Sequence, residues 1–163
     1  MALLRWIVRL LVVVVVLVAA LAFGVRFLDG PLGPLPGGSL RKGVLATQPV
    51  ADWSFAADVQ EVELQLERQS ISRTTWILVH GGHAYIPAAT EYPPGKTWHR
   101  HALEDGSATL RIGGTRYPVT LRKVDDSDTA VLAAVLAVAE KKYPSRPGGQ
   151  VWLFEVTSRA QGA

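Results

Sequence analysis

Cysteine is absent from the 163 residues, and with it go disulfides, thiolate nucleophiles, Cys-ligated zinc and iron–sulfur centres, and a lipidated cysteine after the apolar segment. Also missing are G-x-S-x-G, a Walker loop, G-x-G-x-x-G, H-E-x-x-H and the EF-hand pattern, which removes the commonest hydrolase, nucleotide and metalloprotease routes. An excess of charge in the body of the chain is missing too. Lys and Arg number 17 against 14 Asp and Glu, but Arg5, Arg9 and Arg26 flank an apolar stretch, and setting those three aside leaves 14 basic residues against the 14 acidic ones. No run of Lys or Arg is interleaved with aromatics, so nucleic acid is not an expected partner.

What is present begins with hydrophobicity. From residue 10 to residue 25 no charged side chain interrupts Leu, Val, Ala, Phe and Gly. With Leu3, Leu4, Trp6, Ile7 and Val8 the run approaches the roughly 20 residues a bilayer needs. Membrane lipid is therefore an expected partner of residues 3–26. Arg5 and Arg9 ahead of the run favour an N-terminus kept in the cytoplasm, and hence a single-pass inner-membrane protein with its body on the non-cytoplasmic side. Ala20-Leu21-Ala22 has the small-x-small form of a signal-peptide cleavage site, the competing reading. The following Asp29-Gly-Pro-Leu-Gly-Pro-Leu-Pro-Gly-Gly38 reads as an extended spacer, although Leu32 and Leu35 leave open that it lies against the body.

The body alternates as strands do. Val62, Leu64 and Leu66 alternate with Glu61, Glu63, Gln65 and Glu67, giving one face for a core and one for water. A strand over 74–80 and another over 84–87 flank Gly81-Gly82-His83 as a hairpin, and a second hairpin joins 108–112 to 116–122 through Gly113-Gly114. A short helix is expected over 96–104. A longer one carries Val131, Leu132, Val135, Leu136, Val138 and Ala139 after the capping cluster Asp126-Ser127-Asp128 and stops at Pro144. A last strand covers 151–156. This order, without βαβ alternation, predicts an α+β fold or a small barrel.

The histidines offer little. His80 and His83 sit on a glycine turn with no acidic residue close in sequence, and His99 and His101 lie about 200° apart around a helix. Surface histidines are expected and no metal site is. More informative is 85–106, where a strand end, a Pro/Gly loop, Lys96 and a helix start follow one another. In that geometry a lysine and free backbone N–H groups meet a phosphate. The plainer alternatives are a solvated lysine at 96, a solvated strand-edge charge at Arg73, and ordinary core packing for Trp76 and Trp98.

Gly82, Tyr85-Ile86-Pro87-Ala88, Lys96, Trp98, Leu103, Asp105, Ala108 and Leu110 to Gly114, set between strands, resemble the split β-barrel of flavin-binding proteins related to pyridoxamine 5′-phosphate oxidase. The same pattern is similar to the deazaflavin-dependent nitroreductases. The resemblance implies a small split antiparallel β-barrel with two helices, preceded by one transmembrane helix. The chain then divides into a membrane helix (1–27), a Pro/Gly-rich linker (28–50), the barrel domain (51–158) and a polar tail (159–163). It further implies FMN or a deazaflavin as cofactor, with Arg73 and Lys96 on its phosphate, Ile86, Pro87 and Ala88 lining it by backbone, and Trp76, Trp98 and His101 walling the ring or substrate. Pairing as a homodimer is implied as well. The expected function is a membrane-anchored reductase of a small lipophilic acceptor such as a quinone, its redox chemistry belonging to the cofactor. A membrane-tethered binding or scaffold module on the same fold is the alternative.

Overall fold

The computed structural model describes residues 2–91, 93–144 and 149–160, apart from the side chains of Ala2, Leu3 and Ala22. The end of the expected polar tail, 161–163, lies outside the described residues. Helix α1 (Ala2–Gly24) stands away from the rest with its side chains exposed. At 1.5 Å per residue it is about 34 Å long, and by length and composition it can cross a membrane. A single 3-10 turn, Val25–Phe27, joins it to the body, where Val25 is buried.

Among the described residues the body is an eight-stranded curled sheet with two helices, an α+β half-barrel. Its strands are β1 (Val44–Leu45), β2 (Glu61–Leu66), β3 (Ser72–Trp76), β4 (Leu78–His80), β5 (His83–Ala89), β6 (Ser107–Ile112), β7 (Thr115–Lys123) and β8 (Val151–Ser158). Helix α2 (Trp98–Glu104) follows β5, and α3 (Thr129–Lys142) follows β7. The order across the sheet is β3-β2-β6-β7-β8-β5-β4, all antiparallel, with β1 added in parallel to the start of β7.

The two ends of that path explain the curl. Strands β3 and β4 are opposite edges of the sheet, yet only Ile77 separates them in sequence. The two Cα steps from Trp76 to Leu78 reach at most about 7 Å, so the sheet must roll until its edges meet at this corner. The single strand expected over 74–80 is thus two strands, broken because closure sends the chain from one edge to the other. Ile77 is fully buried, and its carbonyl accepts hydrogen bonds from Lys142 Nζ (2.9 Å) and Tyr143 Oη (3.2 Å) at the end of α3. Away from the corner β3 and β5 separate, and the barrel is split there.

The alternation of β2 seats Val62, Leu64 and Leu66 in one core with Leu110, Ile112, Val119, Leu121 and Phe154. A second cluster, with Tyr85, Val135, Ala139, Tyr143 and Leu153, lies under α3. Both hairpins turn on glycine pairs with positive φ, Gly81-Gly82 (58° and 80°) and Gly113-Gly114 (55° and 82°), the geometry that two-residue turns demand.

The stretch read as a spacer is ordered against the barrel. Gly37 and Ser72 exchange backbone hydrogen bonds at 3.0 Å, Leu40 is buried, and Thr74 Oγ1 donates to the Gly33 carbonyl at 2.7 Å. A Cβ on Gly37 would overlap the carbonyl of Gly30. The glycines permit the strap to cross itself closely; composition alone gives the same signal for a flexible linker. Asp29 Oδ1 accepts from the amides of Arg41 (2.6 Å) and Lys42 (2.9 Å), while Arg111 bridges Asp29 and Glu63. Burial works to raise the Asp29 pKa. The hydrogen bonds from Arg111, Lys42 and Arg41 outweigh it and bring the carboxyl down to about 2 from 3.8.

Arg111→Met, which keeps the stem and removes the donors, should therefore lower stability by about 1.5–3 kcal/mol, the scale of a hydrogen bond to a charged group. Asp29 contributes stability in full above its unfolded pKa of 3.8 and loses it as pH falls through about 2. The gap between wild type and Arg111→Met in thermal unfolding should shrink over that window. A gap that is unchanged by acid would remove Asp29 as the partner that matters.

Candidate functional site

The split holds two adjoining cavities. The larger, about 1030 Å³, has walls from the edge strand β3, the loop before α2, the strap and the 3-10 turn after α1. Four of its lining residues are basic, Arg26, Arg68, Arg73 and Lys96, and among the described residues none is Asp or Glu. The smaller, about 400 Å³, is walled mainly by apolar side chains of β3, β4, β5, β8 and α3, with Glu61 of β2 also lining it. Pro34, Thr74, Thr75, Pro87, Pro93 and Lys96 belong to both.

Arg73 lies on β3, which pairs with β2 on one side and faces the split on the other. Its Nη2 donates to Gln69 Oε1 at 3.0 Å and its guanidinium lies 5.6 Å from the centre of the Trp98 ring. Its Nε is buried and, among the described residues, has no hydrogen-bond partner. Burial brings its pKa down to about 10, so it is still charged at neutral pH. Lys96 is half-buried, and its pKa is lowered by burial and then by the charge of Arg73. Among the described residues neither cation forms an ion pair; Arg68, by contrast, meets Asp105 at 2.7 Å.

Trp98 is buried, packed against Phe154 in the core while also lining the larger cavity. His101 lines the same cavity, half-exposed and 3.8 Å from Glu104. Trp76 lines the smaller cavity and is stacked on Tyr143, with ring centres 4.2 Å apart and planes 4° from parallel. The period of two on β5 divides the remaining expected residues. Pro87 and Ala89 line the cavity, whereas the side chains of Ile86 and Ala88 are buried in the barrel core. Those two can offer only backbone. Pairing with β4 stops at Tyr85, so beyond it the edge of β5 away from β8 is unpaired among the described residues. A proline at 87 fits such an edge.

The backbone part of the expected phosphate site is weaker than the side-chain part. Helix α2 has only seven residues, and the amides of Lys96, Arg100 and His101 are already bonded to the carbonyls of Pro93 and Thr97. His99 is buried with Nδ1 unpartnered, edge-on to Trp152 at 5.1 Å, its pKa lowered by burial and by Lys96 and Arg100. His83 is surface-exposed, 3.3 Å from Glu155.

Sequence reasoning missed Arg26, Arg68, the strap prolines and the α3 wall. Their sole local signal was the juxtaposition of Arg26 with the spacer. Everything else about their meeting depends on how the strap folds back.

No family model and no curated protein matches this sequence. Among solved structures, a pyridoxamine 5′-phosphate oxidase-like protein from Listeria innocua aligns with a TM-score of 0.47 at 11% sequence identity, over 68% of this chain and 94% of that one.

Proposed function

We propose that the chain is a membrane-anchored oxidoreductase that holds FMN or a deazaflavin in the split between β3 and β5 and reduces a small acceptor. The observation that carries this reading is the pair Arg73 and Lys96, two half-buried cations that share a cavity and, among the described residues, form no ion pair. Like charges held together away from water are unfavourable, and an arriving anion relieves them. A phosphate monoester brings about −1.5 to −2 charge and three acceptor oxygens. The buried, unpartnered Nε of Arg73 is a donor suited to one of them.

The larger cavity, about 1030 Å³, is at the upper end of the roughly 300–1,000 Å³ range of cofactor and ligand sites. When bound, a flavin or deazaflavin supplies hydride transfer, which no side chain of this cysteine-free chain provides. The chain's own part is to neutralise the phosphate through Arg73 and Lys96 and to exclude water from the ring with Trp98 and Pro87, while Trp76 walls the side where the substrate would lie. His101, half-exposed in the lining of the larger cavity, would meet the acceptor. Helix α1 would cross the inner membrane with the barrel on the non-cytoplasmic side, a reading supported by Arg5 and Arg9 ahead of the apolar run.

The test uses full-length protein extracted in detergent from alkaline-washed membranes. Its fluorescence is titrated with FMN and with a deazaflavin mononucleotide. Saturable binding of either, competed by inorganic phosphate, is the expected result. Absence of binding by both would leave a tethered, non-catalytic module as the better account.

A further inference from the structure

The smaller cavity has a chemistry the phosphate does not explain. Trp76, Leu78, Leu136, Ala139 and Val151 make its walls mostly apolar, with Glu61, Thr74 and Thr75 the polar side chains on its rim, and it joins the basic cavity beside Lys96 and Pro87. The basic cavity in turn is lined by Arg26, in the 3-10 turn that continues the membrane helix. That end is fixed, not tethered loosely: Val25 is buried, and Gly38 donates to the Leu28 carbonyl at 3.1 Å. Beside it Phe27, Leu28 and Leu32 are all exposed, extending the apolar surface of α1 onto the strap. With no slack between helix and barrel, a spanning α1 sets the mouth of the split at the bilayer surface, where exposed apolar side chains of this kind are stable.

We infer that the smaller cavity is a subsite for the apolar chain of a membrane-soluble amphiphile, which enters from the bilayer past Arg26 and the strap prolines Pro34 and Pro36. This rests on reading the split as a binding site and names the class of ligand it takes beside the cofactor. Arg26 is exposed at the mouth and forms no ion pair among the described residues, so the polar head of the amphiphile meets a cation there while the chain lies under α3. A ligand that partitions into lipid reaches the cavity from a far higher local concentration than one in water, which compensates for weak contact along a single chain.

The test uses the full-length chain in phosphatidylcholine nanodiscs with palmitate carrying a diazirine on its chain, irradiated and mapped by mass spectrometry. Labelling is expected on β3 to β4 around Trp76 and Leu78 and on α3 around Leu136, and it should be competed by palmitate but not by butyrate. Leu136 is partly exposed, so Leu136→Trp can fill the cavity without burying a new group, and Leu136→Glu places a charge in it. Each should reduce labelling of the cavity by about tenfold or more, with thermal unfolding unchanged; Leu136→Trp, which adds no charge beside Lys96, should also leave the FMN titration unchanged. Labels confined to α1 and the turn after it would overturn the inference, as would competition by butyrate equal to that by palmitate. Flavin binding without cavity labelling defeats this inference alone. Cavity labelling without flavin binding defeats the cofactor reading alone.

Discussion

Leu64→Asp is expected to leave no folded barrel. Leu64 has no exposed surface, and its strand is paired on both sides, opposite Arg73 of β3 and Leu110 of β6. Its side chain packs among the apolar residues that fill the barrel, and Arg73, opposite it on β3, already donates to Gln69 and lies over the Trp98 ring. Losing the buried leucine costs about 2–5 kcal/mol, and burying an unpaired polar group or charge adds several more. The sum is comparable with the entire stability of a small domain, roughly 5–15 kcal/mol. Far-UV circular dichroism of the full-length variant in detergent should show helix α1 without the strand signal, and no cooperative melt. Glu61→Gln, on the exposed side of the same strand, should melt like wild type. A cooperative melt from Leu64→Asp near that of wild type would mean that β2 faces the other way.

Much of this fold was legible because its signals are local. The Glu-Val-Glu-Leu-Gln-Leu alternation of β2, the two Gly-Gly turns, and Asp128, whose carboxylate accepts from the amide of Val131 at 3.3 Å at the start of α3, all act within a few residues. The illegible parts depend on closure. Thr74-Thr-Trp-Ile-Leu-Val-His reads as one strand because nothing in it is unfavourable to a strand, and the break at Ile77 appears only when both sheet edges must meet. The strap was hidden for a related reason. Pro and Gly exclude regular structure whether a segment is free or pressed against its own backbone, and only Gly30 under Gly37 distinguishes the two.

The site divides in the same way. Arg73 and Lys96 were singled out from a resemblance and from the order of strand, loop and helix, and the structure brings both to one cavity. Leu136 has no sequence signal for a site, since its spacing is that of an amphipathic helix, and Arg26 has only its place between the apolar run and the spacer. Ile86 and Ala88 were distinguishable from Pro87 by the period of two along β5, which predicts that neighbours face opposite sides of the sheet.

Reversing both cations, Arg73→Glu/Lys96→Glu, should abolish measurable flavin binding while the barrel stays folded. Each charge-assisted hydrogen bond to a phosphate contributes about 1.5–3 kcal/mol, or roughly a ten- to hundredfold change in affinity. Losing both and adding two repulsive carboxylates multiplies these effects, because the cations share one ligand and couple through it. Stability should change less. Removing either charge relieves the other, as the lowering of the Lys96 pKa by Arg73 indicates, although Arg73 also gives up its contacts with Gln69 and the Trp98 ring. The neutral pair Arg73→Gln/Lys96→Gln separates the two contributions: it should bind FMN more weakly than wild type and more tightly than the reversed pair, with thermal unfolding at least as high. Raising salt should weaken wild-type binding and leave the neutral pair nearly unaffected, since screening acts on charge and not on ring packing. Equal FMN affinity for wild type and the reversed pair would show that the phosphate is held elsewhere and that Arg73 and Lys96 serve another anion.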